Sequence, residues 1–126
     1  MESMNLTIQP VIRPLRKSDV LEVYGCLFPK AIRGYTAVWD DKVIAVAGVM
    51  YTNPLQCFST IDAKMKEFPR AIVKGIRLIR DLLNEFEAPV YAKTDEHEPT
   101  AFGFLQHIGF EPIDNEVMVW KKQDRG

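Results

Sequence analysis

The chain has 126 residues, 47% hydrophobic and 26% charged, with a formal charge of −1 and a mean hydropathy of −0.11. That is enough for one globular domain over residues 1–126 and leaves no room for a second core. No apolar run reaches the roughly 18–20 residues of a membrane span, no basic-then-apolar leader opens the chain, and near-neutral charge argues against a dedicated nucleic-acid binder; a cytoplasmic protein is expected.

Ile8 to Pro14 reads as a short strand that Pro14 stops. Asp19 with Glu22 three residues on reads as a capping box, opening a helix from Val20 to about Leu27. Pro29 and Gly34 bracket a short connection. Tyr35–Trp39 and Lys42–Tyr51 are β-rich runs around a tight hairpin at Asp40-Asp41. Val43 to Ala47 is apolar at every position, which predicts a central strand covered on both faces. Asn53-Pro54 then turns the chain into a strand over Leu55–Ile61.

A loop from Asp62 to Phe68 leads into a long helix with Pro69 in its first turn, where a missing N–H costs nothing. Ile72, Ile76, Ile79 and Leu83 repeat at helical spacing, widened by Leu82 and Phe86, while Arg70, Lys74, Arg77 and Asp81 repeat on the opposite side. Pro89–Lys93 is a further strand. Pro99 opens a second apolar-striped helix (Ala101, Phe102, Phe104, Leu105, Ile108) that Gly109 closes. Phe110–Ile113 and Val117–Trp120 form a last hairpin around Asp114-Asn115. The order β-α-β-β-β-α-β-α-β-β predicts an α/β domain: a mixed central sheet with parallel neighbours mid-chain, antiparallel flanks and helices on its faces.

Cys26 and Cys57 lie beside apolar residues and read as small core side chains rather than a disulfide. His97 and His107 have no metal-ligand spacing with each other or with the cysteines, so no structural metal is expected. The charge is unevenly spread. Lys64, Lys66, Arg70, Lys74, Arg77 and Arg80 stand against the single anion Glu67 between positions 64 and 80. Free N–H groups at a helix start, with cations nearby, make a site for phosphates; the alternative is a helix wearing its basic side outward. Arg77 and Arg80 fall on that outward side, whereas Lys64, Lys66, Arg70 and Lys74 lie near the helix start. No aromatics are interleaved as a nucleic-acid stacking platform requires, so a compact polyphosphate fits better.

Three stretches carry a resemblance that covers almost the whole chain. Ile12-Arg13-Pro14 followed by Asp19, the Lys66-Glu67-Phe68-Pro69-Arg70-Ala71 loop, and Ala101 to Phe110 (AFGFLQHIGF) resemble, in order and spacing, the GCN5-related N-acetyltransferase family (GNAT). The resemblance implies a single GNAT-like acyl-CoA N-acyltransferase domain binding acetyl-coenzyme A. Backbone groups of Thr60, Ile61 and Asp62 would hold the pantetheine arm. Amides of Phe68, Arg70 and Ala71, with Lys64 and Lys66, would receive the phosphates, and the acetyl group would pass to an amine of a small molecule or protein. Three departures accompany it: Pro69 stands where the family loop has glycine, Leu105 where many members carry the tyrosine that protonates the departing thiolate, and only about eight residues (Leu27–Gly34) where a second helix commonly shapes the acceptor pocket.

Asp62, at the end of its strand, is the candidate general base and equally a cap for the loop. Glu98 and Thr100 read as helix caps, His97 as a surface histidine, Tyr51 and Tyr91 as strand residues whose hydroxyls are stand-ins for the missing acid, and Trp39 and Trp120 as packing aromatics. The second reading is a catalytically silent GNAT-like module that binds itself or another protein. Phe104-Leu105-x-x-Ile108-Gly109 is similar to GNAT-like proteins of tailed bacteriophages, including internal virion proteins of short-tailed phages, which carry the same leucine. That resemblance implies a phage protein located in the host cytoplasm or virion.

Overall fold

A computed structural model describes the chain over residues 9–93 and 99–122, with the side chains of 99–101 not described. The elements are β1 (Val11–Pro14), α1 (Lys17–Tyr24), β2 (Ile32–Trp39), β3 (Lys42–Met50), β4 (Leu55–Ile61), a 3₁₀ turn (Ala63–Glu67), α2 (Pro69–Leu83), β5 (Val90–Lys93), α3 (Pro99–Ile108), β6 (Glu111–Pro112) and β7 (Val117–Trp120). One seven-stranded sheet runs β1-β2-β3-β4-β5-β7-β6. The β4–β5 pair is parallel and the others antiparallel. This is the mixed α/β sheet that the element order predicts.

Local chemistry sets the element ends. Asp40 and Asp41 both take positive φ (53° and 60°), the conformation a two-residue hairpin needs to match strand twist. Gly109, at φ 125°, ends α3, with the Phe110 N–H reaching back to the Leu105 carbonyl at 3.0 Å. Asp114 accepts the Glu116 and Val117 amides at 2.7 and 3.0 Å and so turns the last hairpin.

Several boundaries differ from the sequence reading, and α1 ends at Tyr24, with Gly25 left-handed at φ 75°, rather than near Leu27. Helix α1 begins at Lys17, so Asp19 is its third residue, reaching back to the Arg16 amide at 2.8 Å, rather than its cap. Gly34 lies inside β2 rather than in a connection, directly opposite Gly48 of β3. A Cβ on Gly34 would fall onto the Ala47 carbonyl, and one on Gly48 onto that of Arg33. The glycine pair therefore lets two backbones meet more closely than side chains permit.

The two faces of the sheet are covered differently. Ala47, Val49, Cys57, Ala92 and Met118 share one face with α2 and α3, whose Ile79, Leu82, Leu83, Leu105 and Ile108 complete the larger core. On the same face a smaller core joins Ala37, Ile44, Met65 and Ala71, while α1 lies on the other. β3 is the central, doubly covered strand expected: Val46, which alternates with Ala47 onto the α1 face, is as buried as Val49.

Arg80 departs from the solvated role expected for it. Its guanidinium donates to the His107 and Ile108 carbonyls at 2.5 and 3.3 Å, tying α2 to the negative end of α3. Cys57 is the core thiol predicted, pushed up to about 12 by burial, whereas Cys26 is exposed; neither forms a disulfide.

Candidate functional site

The site begins where the sheet splits. Between β4 and β5 the ladder has three rungs, Leu55–Val90, Gln56–Tyr91 and Cys57–Ala92, and none follows among the described residues, although β4 continues to Ile61. The phase of the β3–β4 ladder decides which backbone groups border the gap. Asp62 donates its N–H to the directly opposite Ile44 carbonyl at 2.9 Å. Opposed residues in an antiparallel pair alternate between hydrogen-bonded and non-bonded, so Thr60 and Phe58 also turn their backbone groups toward β3. Ser59 and Ile61 then turn theirs away, into the gap. Of the three residues expected along this edge, Ile61 meets the geometry. The backbone groups of Thr60 and Asp62 are directed to β3, and Ser59 takes their place.

Sequence periodicity could not reveal this phase, which depends on the partner strand. The Thr60 side chain instead projects to the α1 face, where its hydroxyl donates to the Tyr24 hydroxyl at 2.6 Å.

The turn after β4 is built from its own polar groups. The Asp62 carboxylate accepts the Lys64 amide at 2.9 Å and caps the 3₁₀ turn, remaining exposed. The Phe68 amide closes the turn on the Met65 carbonyl at 3.0 Å, which corrects the expectation that it is free for a ligand. Its ring packs tilted against Trp39, 5.8 Å between centroids. Lys64 lies 4.2 Å above the Trp39 ring and pairs with Glu67 at 3.0 Å, so this cation is held in place. Trp39 is thus more than a packing aromatic: it seats the cation.

Helix α2 starts on Phe68 without a side-chain cap and with Pro69 first. Ile72 is the first residue to bond back, to the Phe68 carbonyl at 3.1 Å. The N–H groups of Arg70 and Ala71 are therefore the open donors of the first turn. Ala71 is buried with its methyl in the smaller core, while Lys66 and Arg70 are exposed with no ion pair among the described residues. Two open amides and two exposed cations thus fall within six residues around one helix start.

On the opposite face, α1 is fixed by a buried ion pair. Arg13 donates twice to Asp19 (2.8 Å each) and Thr36 donates to the same carboxylate at 2.8 Å. Those hydrogen bonds, that from Arg13 foremost, hold the Asp19 carboxyl down at about 2. This anchoring places Tyr24 and, beyond it, Phe28 against Phe58, with ring centroids 5.0 to 6.4 Å apart. Phe58 is the first β4 residue past the last β5 rung, so the aromatic group stands at the fork of the sheet. No periodic signal marks this group, because Phe28 lies past the end of α1 at Gly25.

Leu105 is 3% exposed and belongs to the core, so it offers nothing polar to the gap. Tyr51 is exposed, edge-on to Phe86 at 5.6 Å, and Tyr91 is half-buried beside Gln56. Trp120 is buried as expected. His97 and Glu98 lie outside the described residues, as does the Thr100 side chain. Among the described residues no cluster of His, Cys, Asp or Glu could hold a metal, and no helix is long and apolar enough to cross a membrane.

No protein-family profile and no curated protein matches the chain. Solved structures do. A candidate N-acetyl transferase, YhhK from E. coli, solved in solution bound to coenzyme A, superposes with TM-score 0.53 at 13% identity over 88% of this chain and 98% of that one. Mutant forms of the spermidine/spermine N-acetyltransferase SpeG from Vibrio cholerae give 0.55 at 14% identity over 90% and 95%. A GNAT-family acetyltransferase from Staphylococcus aureus Mu50 gives 0.53 at 11% over 86% and 81%. The fold is that of the GNAT acetyltransferases, as the sequence resemblance implies. The three relatives by fold are bacterial, and the phage resemblance rests on its short α3 phrase alone.

Proposed function

We propose that the protein binds acetyl-coenzyme A and transfers its acetyl group to an amine. One observation carries this reading: β4 runs past its last rung with β5, and its free edge leads to a helix start with two open amides. In this reading Arg70 and Ala71 amides, with the Lys66 and Arg70 side chains, receive the diphosphate, and Lys64 on Trp39 adds fixed positive charge. Backbone groups of Ser59 and Ile61 pair with the pantetheine amides as an added strand would. Coenzyme A bound by YhhK supports the same choice of ligand for this fold. The residues present fit the group: Pro69 removes one amide, and the cations beside it restore charge.

Acetyl-coenzyme A supplies an activated acyl group as a thioester. The chain's contribution is to hold that group at the fork beside Tyr24, Phe28 and Phe58, which form the wall on the acceptor side. The attacking amine gives up one proton. Asp62 is the carboxylate nearest the end of β4, and in this reading it takes that proton directly or through water while also capping the turn. With leucine at 105, the departing thiolate takes its proton from water. The amine substrate is of the class that SpeG, by its designation, acetylates or a protein amine.

A catalytically silent binding module is the second reading, favoured by the burial of Leu105 and by the Phe68 amide engaged within its own turn. Titration calorimetry with acetyl-coenzyme A separates the two. Saturable binding, weakened in Lys66→Ala/Arg70→Ala, is the expected result; absence of binding to the native chain removes the acetyltransferase reading.

A further inference from the structure

Beneath α2 lies a partly open cavity of about 270 Å³. Its floor is one cross-strand row of the sheet, Ile12, Ala37, Ala45 and Ile61, and its walls come from α2 and α3. Among the described residues no Lys, Arg, Asp or Glu lines it, and His107 is its one ionisable imidazole. The Phe68–Ala71 helix start and the β5 edge are not part of its lining; Ile61 is the residue it shares with the proposed thioester cleft, with the side chain packed in the α2-side core and the backbone bordering the gap.

Two glycines keep it open. Gly75 sits in the interior of α2 and Gly103 in that of α3, and both line the cavity. Glycine within a helix is unfavourable by roughly 0.5–1 kcal/mol relative to alanine. At the other described glycines there is a visible cause: positive φ at Gly25 and Gly109, touching backbones at Gly34 and Gly48. At Gly75 and Gly103 neither cause applies, because a Cβ there would meet nothing within 4 Å. What their missing side chains preserve is the void itself. Ile72 and Ile76 turn into the same space and stay half-buried, although the apolar stripe of α2 would otherwise bury them like Ile79.

We propose that this cavity is a binding site for a neutral, apolar small molecule. Protein interiors are otherwise close-packed, and an apolar cavity of roughly 150 Å³ suffices to hold benzene. By proportion the present volume suits a ligand on the order of ten carbon atoms. The described floor and walls carry no Lys, Arg, Asp or Glu, so a carboxylate, phosphate or ammonium in its depth would lose its hydration without a paired charge. Tyr35 and His107 are the lining residues with polar side-chain atoms not committed elsewhere in the sheet; the Thr36 hydroxyl is spent on Asp19. They suit a ligand carrying a single hydroxyl or ring N–H.

Indole is the probe: neutral, planar, soluble, and within this size. Saturation-transfer NMR and a thermal shift that grows with concentration should show one saturable site in the native chain. Gly75→Leu and Gly103→Leu fill the cavity and should each lower indole affinity at least tenfold while the unfolding transition stays cooperative. Should either leucine prevent folding, Gly75→Ala and Gly103→Ala serve instead, each raising thermal stability and together weakening indole severalfold. Saturating coenzyme A should leave indole affinity unchanged. Failure of the native chain to bind indole, undiminished binding in the folded glycine variants, or displacement by coenzyme A would each overturn the proposal.

Discussion

Protonation of Asp19 is the most direct way to test how α1 is held. Its side chain is 3% exposed and takes three side-chain hydrogen bonds, two from Arg13 and one from Thr36. Above the ordinary carboxyl value of 3.8, folded and unfolded chains both carry the charge, and the full stabilisation is present. As pH falls from there to about 2, the unfolded chain takes up a proton that the folded chain refuses, and the stabilisation is lost. That drop in pKa corresponds to roughly 2–2.5 kcal/mol, most of it lost by about pH 2 and the rest below.

The perturbation is Asp19→Asn, which keeps the shape and removes the titration. Urea denaturation should be followed through Trp39 and Trp120 fluorescence at steps from pH 7 to pH 2. The native chain should be the more stable at pH 7, and the gap between the two proteins should narrow by most of those roughly 2–2.5 kcal/mol as the pH approaches 2. Parallel stability curves across the whole range would refute the assignment, because a network that binds the carboxylate and not the acid must release its energy on protonation. Loss of acetyl-coenzyme A binding in Asp19→Asn at pH 7 would add that α1, through Tyr24 and Thr60, also shapes the fork.

Lys66→Ala/Arg70→Ala should weaken acetyl-coenzyme A by about 10–100-fold, two charge-assisted contacts being involved, with the deficit shrinking in high salt; calorimetric affinities that do not change would dismiss the phosphate site. Arg80→Ala should cost about 1 kcal/mol and speed amide exchange at the end of α3, because the His107 and Ile108 carbonyls lose their donor; unaltered exchange would show the contact to be idle. Gly34→Ala should cost on the order of 3 kcal/mol or more in denaturant, since the backbone of β3 must move; a neutral effect would contradict the close approach to Gly48.

Local signals made most of the architecture readable. The period of Ile72, Ile76, Ile79 and Leu83 marked α2, Pro69 its start, Gly109 the end of α3 and Asp40-Asp41 a hairpin, each through forces acting within a few residues. What escaped was decided across the chain. Gly34 looks like punctuation until Gly48 stands opposite it. Asp19 fits a cap as well as a third helical residue, and Arg13 and Thr36 settle which. Arg80 lies on the outward stripe of α2 yet finds carbonyls on another helix. At the candidate site, the cations and the helix start were legible, whereas the roles of Ser59 over Thr60, and of Trp39 beneath Lys64, depend on strand phase and on a ring brought from β2.

The seam between β4 and β5 joins a four-stranded half of the sheet to a three-stranded half with only three described rungs. Cohesion across it falls instead to oily side chains: Ile79, Leu83, Leu105 and Ile108 straddle both halves like a rivet plate, together with Val49 and Met118 beneath. The width of the fork is consequently governed by how well those interior groups nest. A change of volume deep in that layer, far from any ligand, will be felt at the mouth as a wider or narrower wedge.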